Sequence, residues 1–205
     1  MALQIRVDPC ASVVNVVPMN KGAPPPFQAI NTGFPGLILL QPRIFKDARG
    51  IFVKSFHEDL FHDLGIDFTL REEFYSTSAR NVLRGMHFQI PPAAHAKIVC
   101  CLQGRVLDVL LDMRRNSPRF GQTFSCELDA TRREIFFIPA GFAHGFLSLE
   151  DDSLMVYKTD HVHALEQDKG IAWDSFGFKW PLDKPPIMSD RDRQFPRWPD
   201  FQSPF

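Results

Sequence analysis

Arg84, His87, His95 and Lys97 lie close together in RGMHFQIPPAAHAKIVCCLQGRV, beside the adjacent thiols Cys100 and Cys101. Imidazoles exchange protons near neutral pH, an ammonium can stabilise a developing oxyanion, and a guanidinium grips phosphates and carboxylates. The segment nevertheless reads as sheet, because its apolar residues come in short runs. In a strand His87 shares a face with Leu83 and Gln89, while Arg84 points the other way unless the chain bends at Gly85. Such a bend would let both side chains reach one cavity. Taken singly, His87 also fits a hydrogen-bonded core histidine, and Lys97 a strand-end charge reaching for water.

Two later residues extend the set. His144 stands in FFIPAGFAHGFLSL, where Pro139, Gly141 and His144 form a tight turn between apolar strands. That Pro-x-Gly-x-x-His pattern is one of cupin-class β-barrels, whose turn projects the histidine inward. Tyr157, in SLMVYKT, falls on the face of Ser153 and Met155, and a phenol facing a barrel interior can donate a proton. By itself it fits a core tyrosine with a bonded hydroxyl equally well. Only Tyr75 and Tyr157 stand against twenty phenylalanines, so the candidates for a phenolic acid are few.

The elements that must position these groups are mostly strands. GLILLQPRIF and IFVKSF flank the turn DARG and predict a hairpin. HEDLFHDLG, with Leu60, Phe61 and Leu64 at helical spacing and Gly65 as its stop, predicts a short helix. From Ser76 to Thr159, apolar runs such as KIVCCL, EIFFI and SLMVYKT alternate with the polar turns RRNSPRFG, DATRRE and LEDDS. That rhythm predicts a mainly β fold, an antiparallel sandwich or barrel with a few short helices. KGAPPPF and NTGFPG predict an irregular arm over residues 1–35, ahead of a barrel domain at 36–196 and a tail at 197–205. From Gly170 onward Trp173, Trp180 and Trp198, set among prolines, are expected to pack over the sheet.

Composition narrows the partners. At 205 residues the chain fits one core, and 23 Lys and Arg against 24 Asp and Glu leave no global basic surface for nucleic acid. The first residues lack the apolar run of a secretion signal and no window approaches a membrane span, so a cytoplasmic protein with no membrane partner is expected. Cys10, Cys100, Cys101 and Cys126 show no C-x-x-C pair and read as buried thiols.

In order along the chain, FKDARGIF, LRGMHFQIPPAAHAKIV, GRVLDVLLDMRRNSPRFG, IPAGFAHGF, YKTD, GIAWD and SDRDRQFP, spanning Gly36 to Pro196, resemble the dTDP-4-dehydrorhamnose 3,5-epimerase family. The resemblance implies a cupin-type antiparallel β-barrel, or jelly roll, acting without a cofactor or metal on a nucleotide-diphosphate-linked 4-keto-6-deoxy sugar. It implies His87 as base, Asp174 as the carboxylate orienting it, Lys97 at the enolate oxygen and Tyr157 as proton donor from the opposite face. Arg49, Phe52, Arg84 and His144 would contact substrate. A homodimer is implied, with the hairpin around Arg49 and Phe52 reaching the neighbour's site.

The chain departs from the family at Lys54, where a Glu is usual, and at Glu72 and Phe74, where a Gln and an Asn are usual. A Lys54–Glu72 pair near the nucleotide would suit a base other than thymine. After Tyr157, KTDHVH replaces a tyrosine-rich segment, and His161 and His163 are expected at a surface strand end. That leaves open inversion at C3, C5 or both. Competing readings are a 3,4-ketoisomerase on the same scaffold, a metal-dependent cupin using His87, His95 and His144, and a non-enzymatic sugar-nucleotide binder.

Overall fold

The computed structural model describes residues 4–6, 13–14 and 25–205. In chain order the strands are β1 (Gln4–Arg6), β2 (Val13–Val14), β3 (Phe27–Asn31), β4 (Ile38–Pro42), β5 (Ile44–Asp47) and β6 (Gly50–Val53). After helix α1 (Glu58–Asp63) come β7 (Glu72–Ser78), β8 (Leu83–Gln89), β9 (Lys97–Gln103), β10 (Arg105–Asp112) and β11 (Thr123–Asp129). They are followed by β12 (Ile135–Ile138), β13 (Phe142–Ser148), β14 (Ser153–Thr159), β15 (Asp168–Gly170) and helix α2 (Asp190–Arg193).

Two sheets face each other. One runs β1-β11-β10-β13-β8-β15 and the other β2-β3-β4-β12-β9-β14-β7, with antiparallel neighbours except at the parallel β1–β11 pair. This is the expected jelly roll. Phe124, Leu110 and Phe146 from the first sheet meet Val99, Phe136 and Met155 from the second, all at most 1 % exposed. Burying each such side chain stabilises the fold by about 1.5–3 kcal/mol.

Both outer faces are also covered, which is why β10 and β13 are buried along almost their whole length rather than on alternate residues. Helix α1 lays Leu60 and Phe61 against Ile98, Cys100 and Phe137 outside the second sheet. Trp173, Trp180 and Trp198 cover Leu107, Val109 and Leu111 outside the first, as their setting among prolines suggested.

Most of the arm expected over residues 1–35, Cys10 included, lies outside the described residues, but Phe27–Asn31 is a regular strand. Its pattern of buried Phe27 and Ala29 beside exposed Gln28 explains the difference, since neighbouring prolines and glycines had hidden a two-residue alternation. The predicted hairpin is β5–β6, turning at Ala48 and Arg49. Cys100 and Cys101 are buried free thiols and Cys126 is partly buried and free. Among the described residues no helix is long and apolar enough to cross a membrane.

Candidate active site

A cavity of about 320 Å³ opens between the sheets, walled by β8 and β13 on one side and by β7, β9 and β14 on the other. Arg84, His87, Lys97, His144, Tyr157 and Glu72 all line it. The bend expected at Gly85 is present. Gly85 adopts φ +123°, and a Cβ there would lie 2.6 Å from the Cα of Gly145, so the two backbones touch where no side chain fits. Pairing between β8 and β13 shifts register between His144 and Phe146, with His144 directly opposite His87.

His87 Nε2 lies 2.9 Å from Asp192 Oδ1. Helix α2 sets this carboxylate in place: Ser189 accepts the Asp192 N–H at 3.1 Å, and Asp192 Oδ2 accepts the Gly85 N–H at 3.0 Å. Burial raises the Asp192 carboxyl, but the bonds from His87, Gly85 and Ser189 outweigh it and hold it below the usual aspartate range. A carboxylate so held fixes the imidazole tautomer and the orientation of the ring. Phe195 packs edge-on against the His87 ring, with centroids 5.5 Å apart.

Asp174, expected to orient His87, does not reach it. Gly170 lies opposite His87 across the β8–β15 pair, but the chain then turns at Ala172–Ser175. Asp174 is left half-exposed with its carboxylate 3.6 Å from Arg197. Asp192 takes the place, and its sequence signal was Ser189-x-x-Asp192, a helix N-cap within SDRDRQFP.

Lys97 donates to the His87 carbonyl at 3.3 Å. Desolvation lowers its pKa to about 8 against the opposing pull of Asp168 and Asp108. Tyr157 stands across the cavity on β14, and burial pushes its phenol well above the usual tyrosine range. The arrangement offers an oriented base, a cation and a phenolic acid around one enclosed volume, the set required for proton removal beside a carbonyl.

His144 has a carboxylate of its own, with Nε2 2.8 Å from Asp108 Oδ2, and both residues are buried. Asp108 was missed, although a lone acid in RVLDVLL was a visible signal. Arg84 is tethered through Nε to Ser78 Oγ and through a terminal nitrogen to the Thr77 carbonyl, each at 3.0 Å.

Other expected contacts are arranged differently. Glu72 accepts the His163 N–H at 2.6 Å and makes no ion pair with Lys54 among the described residues. Arg49 and Phe52 sit on the projecting β5–β6 hairpin, away from this cavity, with Arg49 paired to Asp47. Lys54 follows that hairpin and does not line the cavity either. His161 and His163 do follow the surface end of β14 as expected, with His163 exposed, and they also line the cavity, where His163 Nε2 lies 3.1 Å from Asp168. Among the described residues no three His, Cys, Asp or Glu side chains converge as metal ligands. His87 and His144 each face a carboxylate and His95 faces Gln89, so the three imidazoles proposed as ligands are separately engaged.

Comparison with known proteins supplies an independent line. Residues 31–200 match the family model for dTDP-4-dehydrorhamnose 3,5-epimerase. The chain is 38 % identical over 166 residues to a dTDP-4-dehydrorhamnose 3,5-epimerase of Shigella flexneri, covering 80 % of this chain and 91 % of that protein. The crystal structure of a dTDP-6-deoxy-D-glucose-3,5-epimerase from Legionella pneumophila, in complex with dTDP-4-keto-L-rhamnose, superposes with a TM-score of 0.82. It is 32 % identical and covers 86 % of this chain and 95 % of that one. A 3'-monoepimerase from Streptomyces bikiniensis in complex with dTDP-quinovose gives a TM-score of 0.75 at 33 % identity, covering 79 % and 83 % of the two chains.

Proposed function

The chain belongs to the dTDP-4-dehydrorhamnose 3,5-epimerase family of nucleotide-sugar isomerases, and on that premise we propose that it inverts C3 and C5 of a dTDP-linked 4-keto-6-deoxy sugar. The 4-keto group acidifies the hydrogens on both neighbouring carbons. His87 removes one of them, and the electron pair moves onto the carbonyl oxygen to give an enolate beside Lys97. Tyr157 returns a proton from the other face, which inverts the centre. Asp192 keeps the His87 ring oriented and supports its positive charge.

The observation that carries this reading is the His87–Asp192 contact of 2.9 Å, opening onto the cavity that Lys97 and Tyr157 also line. Arg84 and His144 are assigned to the substrate's diphosphate and sugar. We assign the β5–β6 hairpin to a second copy's site in a homodimer. Phe45, Ile51 and Phe52 are 45 %, 49 % and 62 % exposed on it, an apolar surface suited to a partner.

Thymine is favoured over another base. The relatives named above are dTDP enzymes or dTDP complexes, and the Lys54–Glu72 pair that argued otherwise is not formed. Inversion at both carbons rests on the better fold match to the 3,5-epimerase, a TM-score of 0.82 against 0.75 at nearly equal identity, and on the 38 % identity to the Shigella flexneri 3,5-epimerase.

The test is incubation in heavy water with 4-keto-6-deoxyglucose linked to dTDP, UDP, GDP or CDP, with deuterium read at each carbon. Incorporation at C3 and C5 of the dTDP sugar, together with inverted product, is expected. Deuterium at one carbon would reduce the activity to a single centre, a 3-keto product would make the protein a ketoisomerase, and equal use of all four would remove the base preference.

A further inference from the structure

We propose that His95 is a second hydrogen-bond donor to the substrate oxygen that turns negative when His87 removes its proton, held by Gln89 as a neutral ring with hydrogen on Nε2. This rests on the epimerase reading above and adds a residue to its oxyanion site.

The tautomer follows from the Gln89 side chain. Its Oε1 accepts the Ala164 N–H at 2.6 Å, and its Nε2 donates to the Ala93 carbonyl at 2.9 Å. Exchanging the two amide atoms would set donor against donor at Ala164 and acceptor against acceptor at Ala93, so the orientation is determined. The amide nitrogen also lies 2.9 Å from His95 Nδ1. The Val162 carbonyl lies farther from that nitrogen, at 3.3 Å, so the second amide hydrogen goes to Nδ1, which presents its lone pair, and in a neutral ring the hydrogen goes to Nε2.

The charged ring is disfavoured as well. Protonating Nδ1 would set it against the Gln89 amide, and burial together with the Lys97 charge lowers the His95 pKa to about 3 against the opposing pull of the Ala93 carbonyl. Nε2, on the far side of the ring from Gln89, has no hydrogen-bond partner among the described residues. The ring lines the same cavity as His87 and stands two residues before Lys97. A neutral N–H here complements the ammonium: it stabilises a developing negative oxygen without repelling Lys97, and it persists where Lys97 has lost its proton.

Two measurements test this. In protein labelled with ¹⁵N-histidine, the His95 ring, assigned by its disappearance in His95→Gln, should show the Nε2–H pattern unchanged between about pH 5 and pH 8. In the deuterium assay His95→Ala should lower kcat on the order of a hundredfold with KM little changed. His95→Gln, whose carboxamide can donate, should recover most of that loss. An Nδ1–H ring, a ring that titrates in that window, or a folded His95→Ala protein at the wild-type rate would each overturn the proposal. Wild-type protein inactive on every keto sugar would overturn the epimerase reading and the donor role with it, whereas the spectrum decides the tautomer by itself.

Discussion

The ring of Phe74 lies flat against that of Tyr157, with centroids 4.8 Å apart and 12° between the planes. The two are cross-strand partners on β7 and β14, and Phe74 takes the exposure, 44 % against 7 % for the tyrosine. Phe74 thus roofs the proposed acid and keeps water from one face of the phenol. Desolvation disfavours the phenolate, so uncovering the ring should lower the Tyr157 pKa. In a Tyr75→Phe background, where ultraviolet titration reports Tyr157 alone, adding Phe74→Ala should move ionisation to lower pH. Superimposable curves would show that Phe74 does not shield the phenol.

Removing the phenol itself should separate two events. His87 can still take a proton in Tyr157→Phe, so deuterium exchange should outlast inversion, and the ratio of exchanged to inverted sugar should rise severalfold. If both fall in step, Tyr157 acts before or during proton removal rather than after it.

The two candidate carboxylates give opposite forecasts. Asp192→Asn leaves a similar shape 2.9 Å from His87 but removes the charge that supports its protonated form, and kcat should fall on the order of a hundredfold or more. Asp174→Asn alters a half-exposed side chain facing Arg197 and should leave turnover near wild type. Steady-state rates of the two variants, each checked for folding by circular dichroism, decide between them, and the reverse pattern would return the role to Asp174.

Lys97 sets the alkaline side of the pH profile. Its ammonium must be present to meet the enolate oxygen, and desolvation brings its pKa from 10.5 to about 8. Because the folded pKa is the lower one, the charged form is lost earlier on raising pH than in an ordinary lysine, and kcat should decline through about pH 8. Lys97→Arg keeps its charge throughout that range, so whatever activity it retains should show no such decline. A wild-type profile flat to pH 10 would deny Lys97 an ionised role.

Where the sequence carried its own periodicity, the structure followed. The β5–β6 hairpin, helix α1 and the tryptophan-bearing cover were readable because turn residues and apolar spacing are local signals. His87, Lys97, His144 and Tyr157 were legible for a related reason: each interrupts an apolar run with a group that burial penalises unless something uses it. The partners were harder. Asp192 meets His87 across 105 positions of chain and Asp108 meets His144 across 36, and no local pattern records which acid a fold returns to which base. The family resemblance pointed to Asp174 of GIAWD, yet the Ser189 cap was the better guide, because it shows a helix fixing the direction of Asp192.

The contact at Gly85 ties stability to chemistry. Gly85 and Gly50 have nearly the same strained φ, +123° and +121°, so an alanine at either bears a backbone cost of about 1–3 kcal/mol. At Gly50 a Cβ meets nothing within 4 Å, whereas at Gly85 it would meet Gly145 Cα at 2.6 Å and the His144 carbonyl at 2.8 Å. Relief requires β8 and β13 to separate, which moves His87 away from its opposite number His144. Gly85→Ala should therefore lose more stability in urea denaturation than Gly50→Ala, by about 2 kcal/mol or more. Its surviving folded fraction should also turn over keto sugar more slowly per molecule. Equal losses in the two variants would show that the strands can part freely, and the close approach would then have no part in holding the two imidazoles together.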